Sequence, residues 1–324
     1  MSVPIRVRVA EGLKKTTVEP FLFFIMFGYN VRIVTIQSLF HDRACRISLN
    51  YSNHICDNLD SVDNDYEQIN AVTLGNNYYN AFVMISTIPA LVMATFLGES
   101  PFHSHRMCSN IQPIREAASK RLQVHMYFQA GSLAIAFPYT RRLFKWDVPR
   151  YSYTTTFFSL LNAVATLTLV PILNKRLLVH EAGVGLIGIL SLMAKMILMS
   201  LTMSESIIFY AWFAGTMYAC GGIAVRSRMS KLVSKQELGK VFSLLATCES
   251  LTPVLGTISM TQIYNSSVHF YPGLAYASAA IFLIPATIIF AWMTSLSYIQ
   301  YQESETAKKS KELKEVVHFN QTKY

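Results

Sequence analysis

Glu249 is the only formal charge in an apolar run from residue 241 to residue 264. A charge at a bilayer centre costs about 2.5–3.5 kcal/mol on insertion scales, so such a residue lines a cavity or finds a partner. Ser250, Thr252 and Pro253 follow it. A proline removes one backbone hydrogen bond, and nearby hydroxyls can fill the gap, which opens a polar notch in a helix. Two chemistries fit Glu249. It is either a carboxyl that exchanges a proton or pairs with a cation along a transport path, or a protonated acid hydrogen-bonded to a neighbouring helix. Arg32 and Lys195 also fall inside apolar runs. Arg32 can snorkel to the headgroups or meet a substrate. Lys195 is central in its run and cannot snorkel easily, and an acid is its expected partner, which the sequence does not name. Tyr127 and Gln129, Tyr153 and Asn162, and Tyr210, Trp212 and Tyr218 can coat a ligand path, although aromatic residues in membrane helices also serve packing and interfacial belts. Gln129, Asn162, Tyr218 and Arg32 are the candidate substrate-lining residues. No His-Glu-x-x-His, Gly-x-Ser-x-Gly or paired-aspartate motif lies in any run. The expectation is therefore no enzyme, no cofactor and no metal.

These residues need elements that can hold them in a bilayer. Eight nearly charge-free stretches, at 20 to 40, 79 to 98, 122 to 139, 151 to 173, 182 to 203, 206 to 225, 241 to 264 and 273 to 299, are each about long enough to cross a 30 Å hydrocarbon core as a helix. They do not alternate as barrel strands do. Composition agrees, with 52% hydrophobic and 15% charged residues where a soluble domain carries roughly a quarter charged. The fold class expected is all-α, a polytopic membrane protein of about eight spans. Gly183, Gly185 and Gly188, and Gly215 with Ala219, have the spacing that lets helices approach closely.

Most of the 28 Lys and Arg sit in segments that share one side if both termini are cytoplasmic, as basic residues near span ends require. The divisions expected are a cytoplasmic N-terminus at 1–19, an N-terminal pair of spans at 20–98 with an outer loop at 41–78, and a cytoplasmic linker at 99–121. A six-helix unit at 122–299 and a charged cytoplasmic tail at 300–324 follow. The outer group Arg141, Arg142, Lys145 and Arg150 runs against the rule. The first run is read as a retained helix and not a signal peptide, because it continues past Gly28 to Phe40 without a small-residue cleavage pattern. The net charge of +9 is explained by an anionic inner leaflet and needs no nucleic acid. Cys45 and Cys56 share the outer loop, where they either bridge or remain free thiols. Asn50 and Asn265 head sequons on the outer side, and Asn50 is the better acceptor because Asn265 lies close to a span.

The inner loop Arg226-Ser227-Arg228-Met229-Ser230-Lys231-Leu232-Val233 runs on to Gly239-Lys240-Val241-Phe242, Glu249, Pro253 and Tyr264, and then to Phe270-Tyr271-Pro272-Gly273. In order and spacing this closely resembles the proton-coupled folate transporter family, solute carrier family 46, of the major facilitator superfamily. Residues 140 to 264 fit as a whole, including Trp146-Asp147, and the first outer loop with Asn50 and Cys56 is similar too. The resemblance implies two six-helix bundles working by alternating access. It also implies a secondary transporter that takes up a folate-like or other small organic anion with protons. It carries an arginine implicated in proton coupling and substrate binding onto Arg226, and a glutamate of the following helix onto Glu249. Gly98 is followed by Glu99-Ser100-Pro101-Phe102-His103 in place of the superfamily's usual turn, so the third to sixth helices are expected to be missing. The alternative is a non-transporting, truncated isoform that associates with or regulates a full-length relative as a homo- or hetero-oligomer. The expected location is the plasma membrane, with endosomal or lysosomal membranes as alternatives. The partners expected are the lipid bilayer, a small organic anion and protons.

Overall fold

The structure is a computed structural model that describes residues 32–59, 61–97, 112–175, 181–232, 238–288, 291–292 and 294–295. The basic N-terminus, the start of the first expected span, most of the 99–121 linker and the tail lie outside these. Among the described residues the secondary structure is helical and contains no strand. Helix α1 covers residues 32 to 43 and runs into a π turn at Ala44–Ser48; α2 is the short Asn53–Asp57. The long helices follow as α3 (Asp65–Leu97), α4 (Gln112–Phe144), α5 (Val148–Lys175) and α6 (Glu181–Ser200). Next are α7 (Glu205–Ala214), α8 (Ala219–Leu232), α9 (Leu238–Ser267) and α10 (Leu274–Ile288).

Three differences from the apolar pattern have physical causes. Helix α3 begins at Asp65, well inside the stretch 41–78 expected as a loop. Asp65 and Glu67 in its first turn favour the positive end of the helix dipole, and Ile69, Ala71, Val72 and Gly75 bury one face. The interleaved Asn70, Asn76 and Asn80 lower its hydropathy, so an apolar window misses it. Helix α4 likewise begins at Gln112, inside the expected linker. The run 206 to 225 is not one helix: α7 ends at Ala214, a 3₁₀ turn covers Gly215–Met217, and α8 starts at Ala219.

The main seam is α9 against α4, with α3 packed along α9 and α6 packed against α7 and α8. Close backbone approach makes these seams. A Cβ on Gly256 would lie within 2.1 Å of the Tyr127 carbonyl oxygen, and one on Gly188 within 2.3 Å of the Gly221 nitrogen. The core is rich in rings, with Phe137, Tyr139, Trp146, Tyr264 and Tyr276 almost wholly buried. Tyr139 donates to the Met199 carbonyl at 2.6 Å and Trp146 Nε1 donates to Glu205 at 2.9 Å, so these buried polar tips are satisfied.

The outside is apolar. Helix α5 has none of its most apolar window buried, and Ile85, Phe157, Leu167, Ile281 and Ile288 are exposed. Faces of this size and composition are covered by lipid in a stable protein. Among the described residues, three helices are long and apolar enough to cross a bilayer by themselves, namely Val148–Leu173, Gly183–Ser200 and the broken Glu205–Ala224. The protein is a multi-pass, all-α membrane protein.

The outer basic cluster has local partners. Arg142 pairs with both carboxylate oxygens of Asp65 and donates to Gln68 at 3.2 Å. Arg150 donates to Glu205 at 2.8 Å and lies over the Trp146 ring. Acids on α3 and α7 thus pair with two of the four basic residues expected to run against the sidedness rule.

Candidate functional site: a broken helix and an ion pair

A helix that stops at Ala214 and restarts at Ala219 leaves backbone groups without their usual partners. Side chains of three neighbouring helices take them. Ser191 Oγ on α6 donates to the Ala214 carbonyl at 2.6 Å and accepts the Met217 N–H at 3.2 Å. Asn162 Nδ2 on α5 donates to the Thr216 carbonyl at 2.6 Å. His125 on α4 lies with Nε2 2.9 Å from the Tyr218 carbonyl, an acceptor only, so Nε2 carries the proton. The same ring stacks on Tyr218. Non-helical backbone survives at membrane depth where it is held by protein or lines a cavity, and here it does both.

The cavity beside this break has a volume of about 330 Å³. Gly215, Thr216, Tyr218 and Ala219 of the break line it, with Gln129 and Leu133 of α4, Tyr151, Phe158 and Asn162 of α5, Lys195 of α6, Trp212 of α7 and Ile33 and Val34 of α1. Trp212 packs edge-on against Tyr151 and Phe158. The Lys195 chain passes over Gly215, where a Cβ would meet its Cδ at 2.8 Å, and its ammonium stands 5.9 Å from the Tyr218 ring centroid. Gly215, the C-cap of α7, has an ordinary right-handed backbone, and its missing side chain makes room for the lysine.

Of the residues singled out from sequence, Gln129, Asn162 and Tyr218 meet in this cavity. Arg32 is at the start of α1, next to Ile33 of the lining, and is itself exposed. Glu249 and Arg226 do not line the cavity; they face each other between α8 and α9, with Arg226 Nη2 and Nε donating to Glu249 Oε1 at 2.9 and 3.1 Å. Glu249 is the more enclosed of the two. The acid of α9 and the arginine of α8 thus form a single-oxygen pair that leaves Oε2 outside it.

Lys195 lies over the Tyr218 ring, and among the described residues no acid pairs with it. Ser191 and His125 had no role in the sequence reading. Their signal was polarity facing the break: Ser191 lies one helical turn before Lys195, and His125 one turn before Gln129.

Ahead of α3, Cys45 and Cys56 form a disulfide with Cα atoms 5.9 Å apart. Arg46 bonds Asp42 at 2.7 Å and Asp57 at 2.5 Å. The hydrogen bonds to Asp42 and then Asp57 raise the Arg46 pKa above its ordinary value, so it stays charged. Asn50 is exposed, with a left-handed φ of 51° that asparagine tolerates. Asn265 is within α9, and both ends of its amide are engaged. Its Oδ1 accepts from Asn76 at 2.9 Å, and its Nδ2 donates to the Thr73 carbonyl at 3.4 Å. A glycan on Asn265 would break that bridge between α3 and α9, which favours Asn50 as the acceptor.

The sequence profile of the Major Facilitator Superfamily matches residues 122–321, well over half of the 324 residues. The chain belongs to the Major Facilitator Superfamily. It is similar to the lysosomal proton-coupled steroid conjugate and bile acid symporter SLC46A3, with 30% identity over 107 residues to the Mus musculus protein and 29% over 107 to that of Rattus norvegicus. The Pongo abelii protein is 29% identical over 108 residues. These alignments span 33% of this chain and 23% of each relative. The solute carrier family 46 resemblance thus has its counterpart in these relatives, inside the Major Facilitator Superfamily. The superfamily match begins at residue 122, within α4, so every helix around the break from α4 onward lies inside it.

Proposed function

We propose that the protein is a secondary transporter, or a truncated form of one, that moves a small organic anion together with a proton. The observation that carries this reading is the Arg226 to Glu249 pair, an always-charged cation held by a single ionisable acid between two membrane helices. Protonation of Glu249 cancels the charge that holds Arg226 and frees the guanidinium for an anion. Loss of the proton restores the pair and expels the anion. Proton and anion then bind together or not at all, which is the linkage a symporter needs. Similarity to a symporter of steroid conjugates and bile acids supports an organic anion as cargo, and a folate-like anion is one member of that class.

Uptake into proteoliposomes with an imposed proton gradient tests the reading. Glu249→Gln mimics the protonated acid and should flatten the pH dependence of uptake while exchange persists. Arg226→Ala should weaken apparent affinity at every pH by about tenfold, the loss of one charge-assisted contact. Unchanged pH dependence in the first together with normal affinity in the second leaves both residues structural and rejects the mechanism.

A second reading has its own support: the matched relatives are covered over 23% of their length. A non-transporting form that associates with a longer relative would keep the α4–α9 seam and the outer disulfide but show no uptake alone.

A further inference from the structure

The break between α7 and α8 keeps a set of hydrogen bonds that a straight helix would make redundant. In a regular α-helix the Met217 N–H would reach the Phe213 carbonyl, and the Tyr218 N–H that of Ala214. Here the Tyr218 N–H turns back to the Gly215 carbonyl at 3.1 Å, and Thr216 Oγ1 donates to the Phe213 carbonyl at 2.8 Å. Ser191 Oγ serves both remaining groups, donating to the Ala214 carbonyl and accepting the Met217 N–H. Asn162 takes the Thr216 carbonyl, which the Cys220 N–H would otherwise reach. Two sets of partners therefore satisfy the same backbone, one drawn from α5 and α6 and one internal. Little conformational change separates them: Ala214, Gly215 and Tyr218 are already right-handed, and Gly215 need move only from a ψ of −2° to the helical value of about −42°.

The difference matters further along α8. A 3₁₀ turn winds about 120° and rises about 2.0 Å per residue, against about 100° and 1.5 Å in an α-helix. Recoiling Gly215–Met217 therefore rotates α8 against α7 by about 60° and draws it in by about 1.5 Å. Arg226 stands about two turns along α8, on the stretch that rotates. At a side-chain radius of about 5–6 Å the rotation is a displacement of about 5 Å, enough to take the guanidinium out of line with Glu249 Oε1, which it now meets at 2.9 Å. We propose that the break is a two-state switch and that Ser191 is the residue that positions it. The 3₁₀ form holds Arg226 on Glu249, and the α form turns Arg226 away. This deepens the transporter reading and rests on it for its purpose, because the switch is the element through which the cavity, lined by Gly215, Thr216 and Tyr218, acts on the ion pair. By linkage the effect runs both ways: releasing the break weakens the pair, and losing the pair loosens the break.

Double electron–electron resonance on the purified full chain in detergent measures the rotation. Nitroxides attached to p-acetylphenylalanine in place of Ile85 on α3 and Ile223 on α8, both exposed, leave the native cysteines untouched. Ser191→Ala removes the partner of the Ala214 carbonyl and the Met217 N–H, and should add a second distance displaced from the first by about 4 Å or more. Ser191→Thr keeps the hydroxyl and should not. Thr216→Val frees the Phe213 carbonyl and should add the same second distance, and it decides the matter if Ser191→Ala does not fold. Glu249→Gln, with Ser191 in place, should add that distance as well, which a merely structural serine does not predict. An unshifted distance in Ser191→Ala, or in Thr216→Val where the first does not fold, rejects the switch. The same shift in Ser191→Thr makes the effect one of packing and rejects the role of the hydroxyl. A shift in the serine variant with none in Glu249→Gln rejects the link to the ion pair. A chain whose distances respond as expected but which carries nothing across proteoliposomes keeps the switch and rejects the transporter reading instead.

Discussion

At the scale of single residues, several polar groups inside the membrane find partners far away in the sequence. Arg226 and Glu249 were legible as candidates through their motif, and their contact is the kind of fact that spacing along a chain cannot supply, since 23 positions separate them. Lys195 was legible as an oddity but not as a lining residue, because its neighbour is the ring of Tyr218 and ring faces leave no charge signature in a sequence. Asn50 and Asn265 differ for a reason that no sequon shows: one is exposed at a left-handed turn, and the other bridges two helices. Glycosidase treatment of the protein expressed in a eukaryotic cell should therefore lower its apparent mass, and Asn50→Gln should remove that shift while Asn265→Gln leaves it. A shift that survives in the Asn50 variant but disappears on changing Asn320 would place the tail outside and overturn the assumed sidedness.

At the scale of elements, hydropathy located the helices and misplaced their ends. Apolar windows detect the lipid-facing part of a helix, whereas α3 and α4 both extend beyond it into polar turns, that of α3 stabilised by the acids Asp65 and Glu67. The break between α7 and α8 was hidden for the opposite reason: Gly215 and Thr216 sit in an apolar run and read as packing spacing. Glycine seams make sharper predictions. Gly188→Ala places a methyl against the Gly221 backbone, which no rotamer can relieve, and should destabilise by about 1–3 kcal/mol. Gly221→Ala meets only the edge of the His125 ring, at 3.3 Å, and should cost less. Thermal unfolding in detergent ranks the two, and the reverse order would show that α6 and α8 do not meet as described. The outer loop offers a covalent check. With Cys45 and Cys56 bridged, neither should react with a membrane-impermeant maleimide on intact cells until a reductant is added. Immediate labelling of either would show that the bridge is absent.

At the scale of the whole molecule, superfamily membership covers α4 to the end of the match, while α1 and α3 pack onto that unit through α4 and α9. The Gln37 amide donates to the Ala134 carbonyl at 2.7 Å and Asn76 bonds Asn265, so the two N-terminal helices are tied to the rest by buried polar contacts as well as by apolar area. If the chain is a truncated form, transcripts spanning positions 98 to 125 should include a longer message that encodes four more helices. Uptake should then appear only when a full-length relative is present. Uptake by this chain alone, with no longer message, would establish it as a transporter in its own right. The charge pairs at the outer end have a consequence for biogenesis. Arg142 emerges from the ribosome 77 positions after Asp65, so its partner is already synthesised when it arrives. Arg150 precedes Glu205 by 55 positions and must wait for it. The hairpin of α4 and α5 is therefore made before the acid that pairs with Arg150, and that pair closes only when α7 joins. A translation pause or a chaperone acting between residues 150 and 205 would act on the step at which this protein commits to its orientation.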